Sequence, residues 1–130
     1  MSTDPSQGAE PLMPASELKA DTVRKGDTVV CVLAGDLHEG TQDAARAVLF
    51  RALDSRPALL AIDLDAVELF TAAGLNVLLA VRDAARLDAV PFALVAPSPT
   101  VRRVLGVTGA AVCFSVHATV EEAAAARDAA

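Results

Sequence analysis

Short runs of apolar residues alternate along the chain with longer segments in which apolar residues recur every three or four positions. The short runs are typical of buried strands, and the periodic segments are typical of amphipathic helices. The predicted strands are Thr22–Lys25, Thr28–Leu33, Leu59–Leu64, Phe92–Ala96 and Val112–Val116. The predicted helices begin near Thr41, Ala72, Pro99 and Val120. Since Gly26-Asp27 joins the first two runs as a turn, the order predicts an α/β fold with a mixed, mostly parallel sheet of about five strands and about four helices, starting with an antiparallel hairpin.

Polar residues mark the expected ends of these elements. Ala34–Gly40 contains two glycines and two carboxylates and is predicted to be a loop, after which Thr41 caps the first helix. Asp63 and Asp65 are expected to end the central strand and to accept backbone N–H groups in the turn that follows. Ser98 is a predicted helix cap because a proline follows it at the first helical position.

The later helices differ in how much of their surface is apolar. Ala72–Leu87 is apolar on nearly all sides in its first turns, so neighbouring helices, a partner protein or both must cover it. Thr119–Glu122 has the pattern of a capping box that opens a terminal helix reaching about Arg127.

The first 18 residues are rich in Ser, Pro, Asp, Glu and Gly and show no hydrophobic period, so they are predicted to form a flexible tail. Residues 19–130 are then one domain. The N-terminus lacks the pattern of a signal peptide, and no apolar run has the roughly 18 residues of a membrane span. We therefore expect a cytoplasmic protein without membrane insertion.

Composition narrows the classes of ligand. The chain is 53% hydrophobic but only 3% aromatic, and its formal net charge is −6. Few aromatic side chains and a net negative charge argue against direct binding of nucleic acid. Cys31 and Cys113 lie far apart inside apolar runs without metal-ligand spacing, so buried free thiols are predicted, with a redox role as the alternative.

Candidate catalytic groups are few. His38 and His117 are the only histidines, and no nucleophile elbow, dinucleotide fingerprint or phosphate-binding loop surrounds them. A phosphate-accepting receiver domain would use an aspartate such as Asp63 together with a later lysine, but no lysine follows Lys25. We predict no enzyme activity, no metal and no cofactor, with a small enzyme or nucleotide binder as the minor alternative.

Three segments together resemble the STAS domain of bacterial anti-sigma factor antagonists. They are VLAGDLHEGT, LLAIDLDAVELFTAAGLNVLL and FALVAPSPTVRRVLGVTG, and the resemblance extends over about residues 20–126. It implies a binding switch. Such proteins bind an anti-sigma factor that is a GHKL-type serine kinase, and phosphorylation of a serine at the strand-to-helix corner releases them.

The corner of this chain departs from the family pattern of Asp-Ser-Ser-Gly-Leu. Alignment on Gly74 places Thr71 at the aspartate, Ala72 at the phosphorylated serine and Ala73 at the second serine. The usual acceptor hydroxyl is therefore absent. Thr71 is interpreted as a helix cap whose oxygen accepts an N–H from Ala73 or Gly74, and a shifted phosphate acceptor is the less favoured alternative. In the first loop His38 replaces the usual aspartate.

The resulting hypothesis is a regulatory protein that sequesters a serine-kinase-type anti-sigma factor and is not switched at the usual serine position. The residues predicted to contact the partner are Asp36, His38, Thr41, Thr71, Ala72, Ala73, Gly74 and Asn76. The alternative is a non-switching STAS scaffold or accessory subunit, either stressosome-like or a helper of a lipid transporter. A weak homo-oligomer is also left open.

Overall fold

The structure is a computed structural model, and it describes residues 18–129. Within that range the strands are β1 Leu18–Lys25, β2 Thr28–Leu37, β3 Leu59–Phe70, β4 Phe92–Val95 and β5 Val116–His117. The helices of the same range are α1 Gln42–Asp54, α2 Ala72–Leu87, α3 Pro99–Thr108 and α4 Val120–Ala129, with a short 3₁₀ helix at Ala110–Cys113. The predicted tail lies outside the described residues apart from Leu18, which opens β1.

The five strands form one sheet in the order β1-β2-β3-β4-β5. β1 pairs with β2 antiparallel, and every later pairing is parallel. Gly26 opens the two-residue turn of the hairpin with a φ of 65°, a conformation that glycine adopts without strain. The predicted α/β fold with a mixed, mostly parallel sheet is confirmed.

Helices cover the two faces of the sheet unequally. On one face, α1, α2 and α3 bury a large core that includes Cys31, Leu33, Leu60, Ile62 and Leu94. The alternate residues of the same strands point to the opposite face, where α4 is the one described helix that covers a small cluster. That cluster consists of Val30, Leu59, Ala61, Ala93, Val95 and Ala123. The predicted strands are thus apolar on both faces because helices lie on both sides.

The predicted ends of β2 and β3 were wrong. β2 continues through Leu37 into the predicted loop, and β3 continues through Phe70 past the two aspartates that were expected to end it. Asp63 Oδ1 does accept the N–H of Asp65, at 3.0 Å, but within the strand. Two register shifts between β2 and β3 each insert an extra residue into β3. These bulges interrupt the alternation on which the sequence prediction relied.

The predicted strand Val112–Val116 was also wrong. Gly109 ends α3 in a left-handed conformation with a φ of 75°, and the chain continues as the 3₁₀ helix before the two-residue β5. β5 pairs only with Leu94 and Val95, because β4 itself ends at Val95. Cys113 is consequently half-buried, not enclosed in a strand, whereas Cys31 is buried in the core as predicted.

The expected helix caps are only partly present. Ser98 Oγ accepts the N–H of Val101 at 3.4 Å, and Thr119 Oγ1 accepts the N–H of Glu122 at 3.0 Å. The return bond of the predicted capping box runs from the Ala118 N–H to Glu122 at 3.2 Å, one residue earlier than the usual partner. Ser98 and Thr119 therefore cap α3 and α4, at the positions that the sequence predicts.

Candidate functional site

The parallel pairing of β2 and β3 places two predicted site segments side by side. In the register Asp36 lies opposite Leu69, and Leu37 lies opposite Phe70. The loop Asp36–Thr41 leaves β2 where the corner Thr71–Gly74 leaves β3. A hydrogen bond of 3.1 Å from the Thr71 N–H to the Leu37 carbonyl joins the two segments.

Gly74 allows the first turn of α2 to approach the end of β2 closely. A Cβ at this position would lie 2.8 Å from Leu37 Cγ, 3.0 Å from the Leu37 carbonyl oxygen and 3.0 Å from Phe70 Cε1. Those distances are shorter than van der Waals contact, so a side chain at position 74 would push the helix away from the strand. Gly74 and Ala73 are both buried, so they contribute to the packing of the corner.

Thr41 and His38 fix the shape of the first loop. Thr41 Oγ1 donates to the Asp36 carbonyl at 2.8 Å and accepts the His38 N–H at 3.1 Å. His38 Nδ1 accepts the Gly40 N–H at 2.8 Å. Thr41 precedes α1 as predicted, but its side chain makes no cap hydrogen bond because the loop uses its hydroxyl.

Thr71 does not cap α2 with its side chain, contrary to the prediction. Its backbone is in the extended conformation of an N-cap residue, and its carbonyl accepts the Leu75 N–H at 3.1 Å. Its hydroxyl oxygen, however, is buried and has no hydrogen-bond partner among the described residues. The interpretation as a cap is therefore correct for the backbone of Thr71 and wrong for its side chain.

The exposed groups of this region differ from the predicted set. Ala72 and Asn76 are exposed on the first turns of α2, while Asp36 and His38 are half-buried. Leu69, which is 44% exposed, and the exposed Glu68 and Glu39 extend the same surface. We define the corner surface as these residues: Asp36, His38, Glu39, Glu68, Leu69, Ala72 and Asn76.

The sequence prediction does not include Leu69 and Glu68 in the site, because it ends the central strand at Asp63 and Asp65 and places a turn after them. In the segment Asp65–Phe70 the residues Ala66 and Leu69 are also apolar, so no simple period in the sequence distinguishes the two that lie three positions apart, Val67 and Phe70. The structure buries both of these residues and exposes the pairs between them.

The comparisons with known proteins agree with this architecture. The sequence model of the STAS domain matches residues 19–123. The chain belongs to the STAS domain family. STAS domains are regulatory, non-enzymatic modules. No curated protein sequence matches the chain.

Solved structures extend the likeness to the whole fold. An anti-sigma factor antagonist from Mycobacterium paratuberculosis is 25% identical, with a TM-score of 0.79 over 87% of this chain and 96% of that one. The phosphorylated form of the Bacillus cell fate determinant SpoIIAA is 23% identical, with a TM-score of 0.62 over 82% and 96%. A sulfate transporter family protein from Wolinella succinogenes is 16% identical, with a TM-score of 0.67 over 82% and 88%. The last two likenesses concern the fold alone.

Among residues 18–129, every helix is too short or too polar to cross a membrane.

Proposed function

We propose that this protein is an anti-sigma factor antagonist that binds a GHKL-type serine kinase anti-sigma factor through the corner surface. The likeness that carries the proposal is the one to the mycobacterial antagonist, which covers 87% of this chain at 25% identity. The paired loop and corner, joined through Leu37 and Thr71, supply a formed surface for such a partner.

The chemistry of the corner surface indicates what the partner should present. Glu39 and Glu68 are exposed, Asp36 is half-buried, and Leu69 and Ala72 are exposed apolar residues of the same two segments. An apolar centre with a charged rim is the usual arrangement of a protein interface. We expect a partner surface with basic groups around an apolar patch, and association that weakens as salt concentration rises.

The binding test compares two exposed leucines, of which Leu69 belongs to the corner surface and Leu87 does not. Leu69→Asp places a charge on the corner surface and should weaken binding of the purified anti-sigma kinase from the source organism by at least about tenfold. Leu87→Asp is the matched control, because Leu87 is 88% exposed at the opposite end of α2. Titration calorimetry with equal losses for both variants, or no binding by the native protein, would contradict the proposal.

The proposal includes the absence of the usual phosphorylation switch. Ala72 is exposed at the acceptor position but has no hydroxyl, while the hydroxyl of Thr71 is buried. A kinase active site must reach the oxygen that it phosphorylates. We therefore expect the native protein to keep its unmodified mass after incubation with the kinase and ATP.

The substitution Ala72→Ser should create an acceptor. It adds an exposed hydroxyl at the first position of α2, where a phosphate would also be favoured by the helix dipole. Intact-mass analysis should show a gain of one phosphate only in this variant. Stoichiometric phosphate on native Thr71 would be the opposite result and would make Thr71 the acceptor.

A non-switching scaffold or transporter-accessory role is the second candidate. The observation that favours it is the same missing hydroxyl at Ala72, because a permanent assembly does not need release by phosphate. The two candidates differ in their partner. Capture of a permease or of other STAS chains through the corner surface, in place of a kinase, would favour the second.

A further inference from the structure

Within residues 18–129, the strand β1 forms an unpaired edge of the sheet. It pairs with β2 on one side, and none of the described residues pairs with it on the other. Val23 in its centre is 43% exposed. An open edge of eight residues is a surface on which another strand can be added.

The register of the hairpin determines which backbone groups of β1 point outward. Lys25 and Thr28 flank the two-residue turn, so they form a hydrogen-bonded pair. By alternation Val23 and Asp21 also bond to β2. Thr22 and Arg24 therefore turn their N–H and C=O groups toward the open edge.

The side chains of β1 on the face opposite α1 alternate in charge around an apolar centre. Val23 lies opposite Val30, whose side chain belongs to the cluster under α4, so Lys19, Asp21, Val23 and Lys25 share that face. All four are exposed. Charges of one sign along an edge would repel a second copy. Here an antiparallel second copy would place its positive charges opposite the negative charge of the first, and the reverse.

We propose that β1 pairs antiparallel with β1 of a second copy of this chain, about a twofold axis at Val23. In this register Asp21 faces Lys25 of the second copy, Lys25 faces its Asp21, and the two Val23 side chains meet. On the other face, Thr22 lies opposite Arg24 of the second copy. The two sheets then form one continuous sheet across the symmetric interface.

The charges also select this register over its neighbours. Moving the second strand by one step of the pleat in one direction places Lys19 opposite Lys25. The same step in the other direction moves the axis to Arg24 and places Arg24 opposite Arg24 of the second copy. Like charges directly opposite one another destabilise a strand pair, so both neighbouring registers are disfavoured.

The dimer should be weak and dependent on concentration. About five residues of each β1 overlap, with about four backbone hydrogen bonds between the two chains. Such an interface falls below the roughly 1,200 Å² of a stable complex. We expect a dissociation constant on the order of 0.1 mM, which sedimentation equilibrium of the full chain at concentrations up to about 1 mM can measure.

Two charge reversals test the pairing. Asp21→Lys creates two Lys–Lys pairs in its own dimer, and Lys25→Asp creates two Asp–Asp pairs. Each variant alone should raise the dissociation constant by about tenfold. Because both residues are exposed, circular dichroism should show an unchanged fold for each variant.

Mixing the variants provides the deciding measurement. In a dimer of Asp21→Lys with Lys25→Asp, every facing pair is again of opposite charge, so the mixture should associate within about threefold of the native protein. The double variant carrying both changes should likewise recover. Glu121→Lys and Arg103→Asp, exposed on α4 and α3, are the matched controls and should leave association unchanged.

The proposal fails if the native chain stays monomeric at about 1 mM, or if the mixture associates no better than either variant alone. A tighter dimer of Lys25→Asp would contradict this register. It would mean that position 25 faces Lys19 of the second copy, where an aspartate forms a pair of opposite charge. The experiment does not involve the anti-sigma factor, so its outcome is independent of the proposed function.

Discussion

Gly74 shows how one residue without a side chain holds the corner together. The substitution Gly74→Ala would place a Cβ 2.8 Å from Leu37 Cγ and 3.0 Å from the Leu37 carbonyl oxygen. Backbone cannot move aside as a flexible side chain can, so α2 must shift from the end of β2. We expect the free energy of unfolding to fall by about 2 kcal/mol, measured by urea denaturation.

Gly106 is the control for this prediction. It lies inside α3, and a Cβ there would have no heavy atom within 4 Å. Gly106→Ala should raise the free energy of unfolding by about 0.5–1 kcal/mol, because alanine loses less backbone entropy in a helix. If Gly74→Ala were as stable as the native protein, the conclusion that α2 needs a glycine to approach β2 would be contradicted.

The hydroxyl of Thr71 gives a second prediction at the same scale. It is buried without a hydrogen-bond partner among residues 18–129, and such a group costs about 1–3 kcal/mol. Thr71→Val keeps the branched shape and removes the hydroxyl, so thermal unfolding should occur at the same or a higher temperature. Thr41→Val is the contrast, since Thr41 Oγ1 bonds to Asp36 and His38 and its loss should destabilise the protein.

Sequence reasoning placed the corner at the right residues but not the atoms within it. The order of an apolar strand, a polar residue, Gly74 and an apolar helical segment predicts a strand-to-helix turn, so the position of the helix start follows from the sequence. Which way the Thr71 side chain turns depends on packing around the corner, which no local pattern encodes. The sequence therefore predicts the position of an N-cap and leaves its hydrogen bond undecided.

Among the elements, β3 shows where periodicity fails. Its first half was predicted because it is continuously apolar, and helix α2 was predicted with its observed bounds because its apolar positions are dense. The second half of β3 buries Val67 and Phe70 and exposes the two residues before each. Bulges produce this spacing of three, which matches neither a regular strand nor a helix.

The extension of β3 can be tested by substitution. Val67 is 2% exposed, so Val67→Ala should lower the free energy of unfolding by about 2 kcal/mol in urea denaturation. Glu68→Ala changes the exposed neighbour and should alter it by less than about 0.5 kcal/mol. Equal small effects for both would mean that this segment is an external connection, as the sequence first suggested.

At the scale of the whole molecule, the two faces of the sheet bury clusters of different size. The core under α1, α2 and α3 includes the buried residues Leu37, Phe70 and Leu75 beside the loop and corner. Among residues 18–129, α4 is the helix that covers the small cluster on the other face. Ala123 is 2% exposed in that cluster. Ala123→Asp would bury an unpaired carboxylate, so we expect a loss of about 2 kcal/mol or more in the free energy of unfolding.

The same variant should still recognise the partner of the corner surface. The small cluster under α4 contains no residue of the loop Asp36–Thr41. Loss of packing between α4 and this cluster therefore removes no group from the proposed interface. Calorimetry below the unfolding temperature should give an affinity for the anti-sigma kinase within about twofold of the native value. Ala125→Asp, on the exposed side of α4, should change neither quantity. A loss of affinity in Ala123→Asp while the fold persists would show that the two faces of the sheet are coupled, and the corner would then depend on α4 as well as on its own strands.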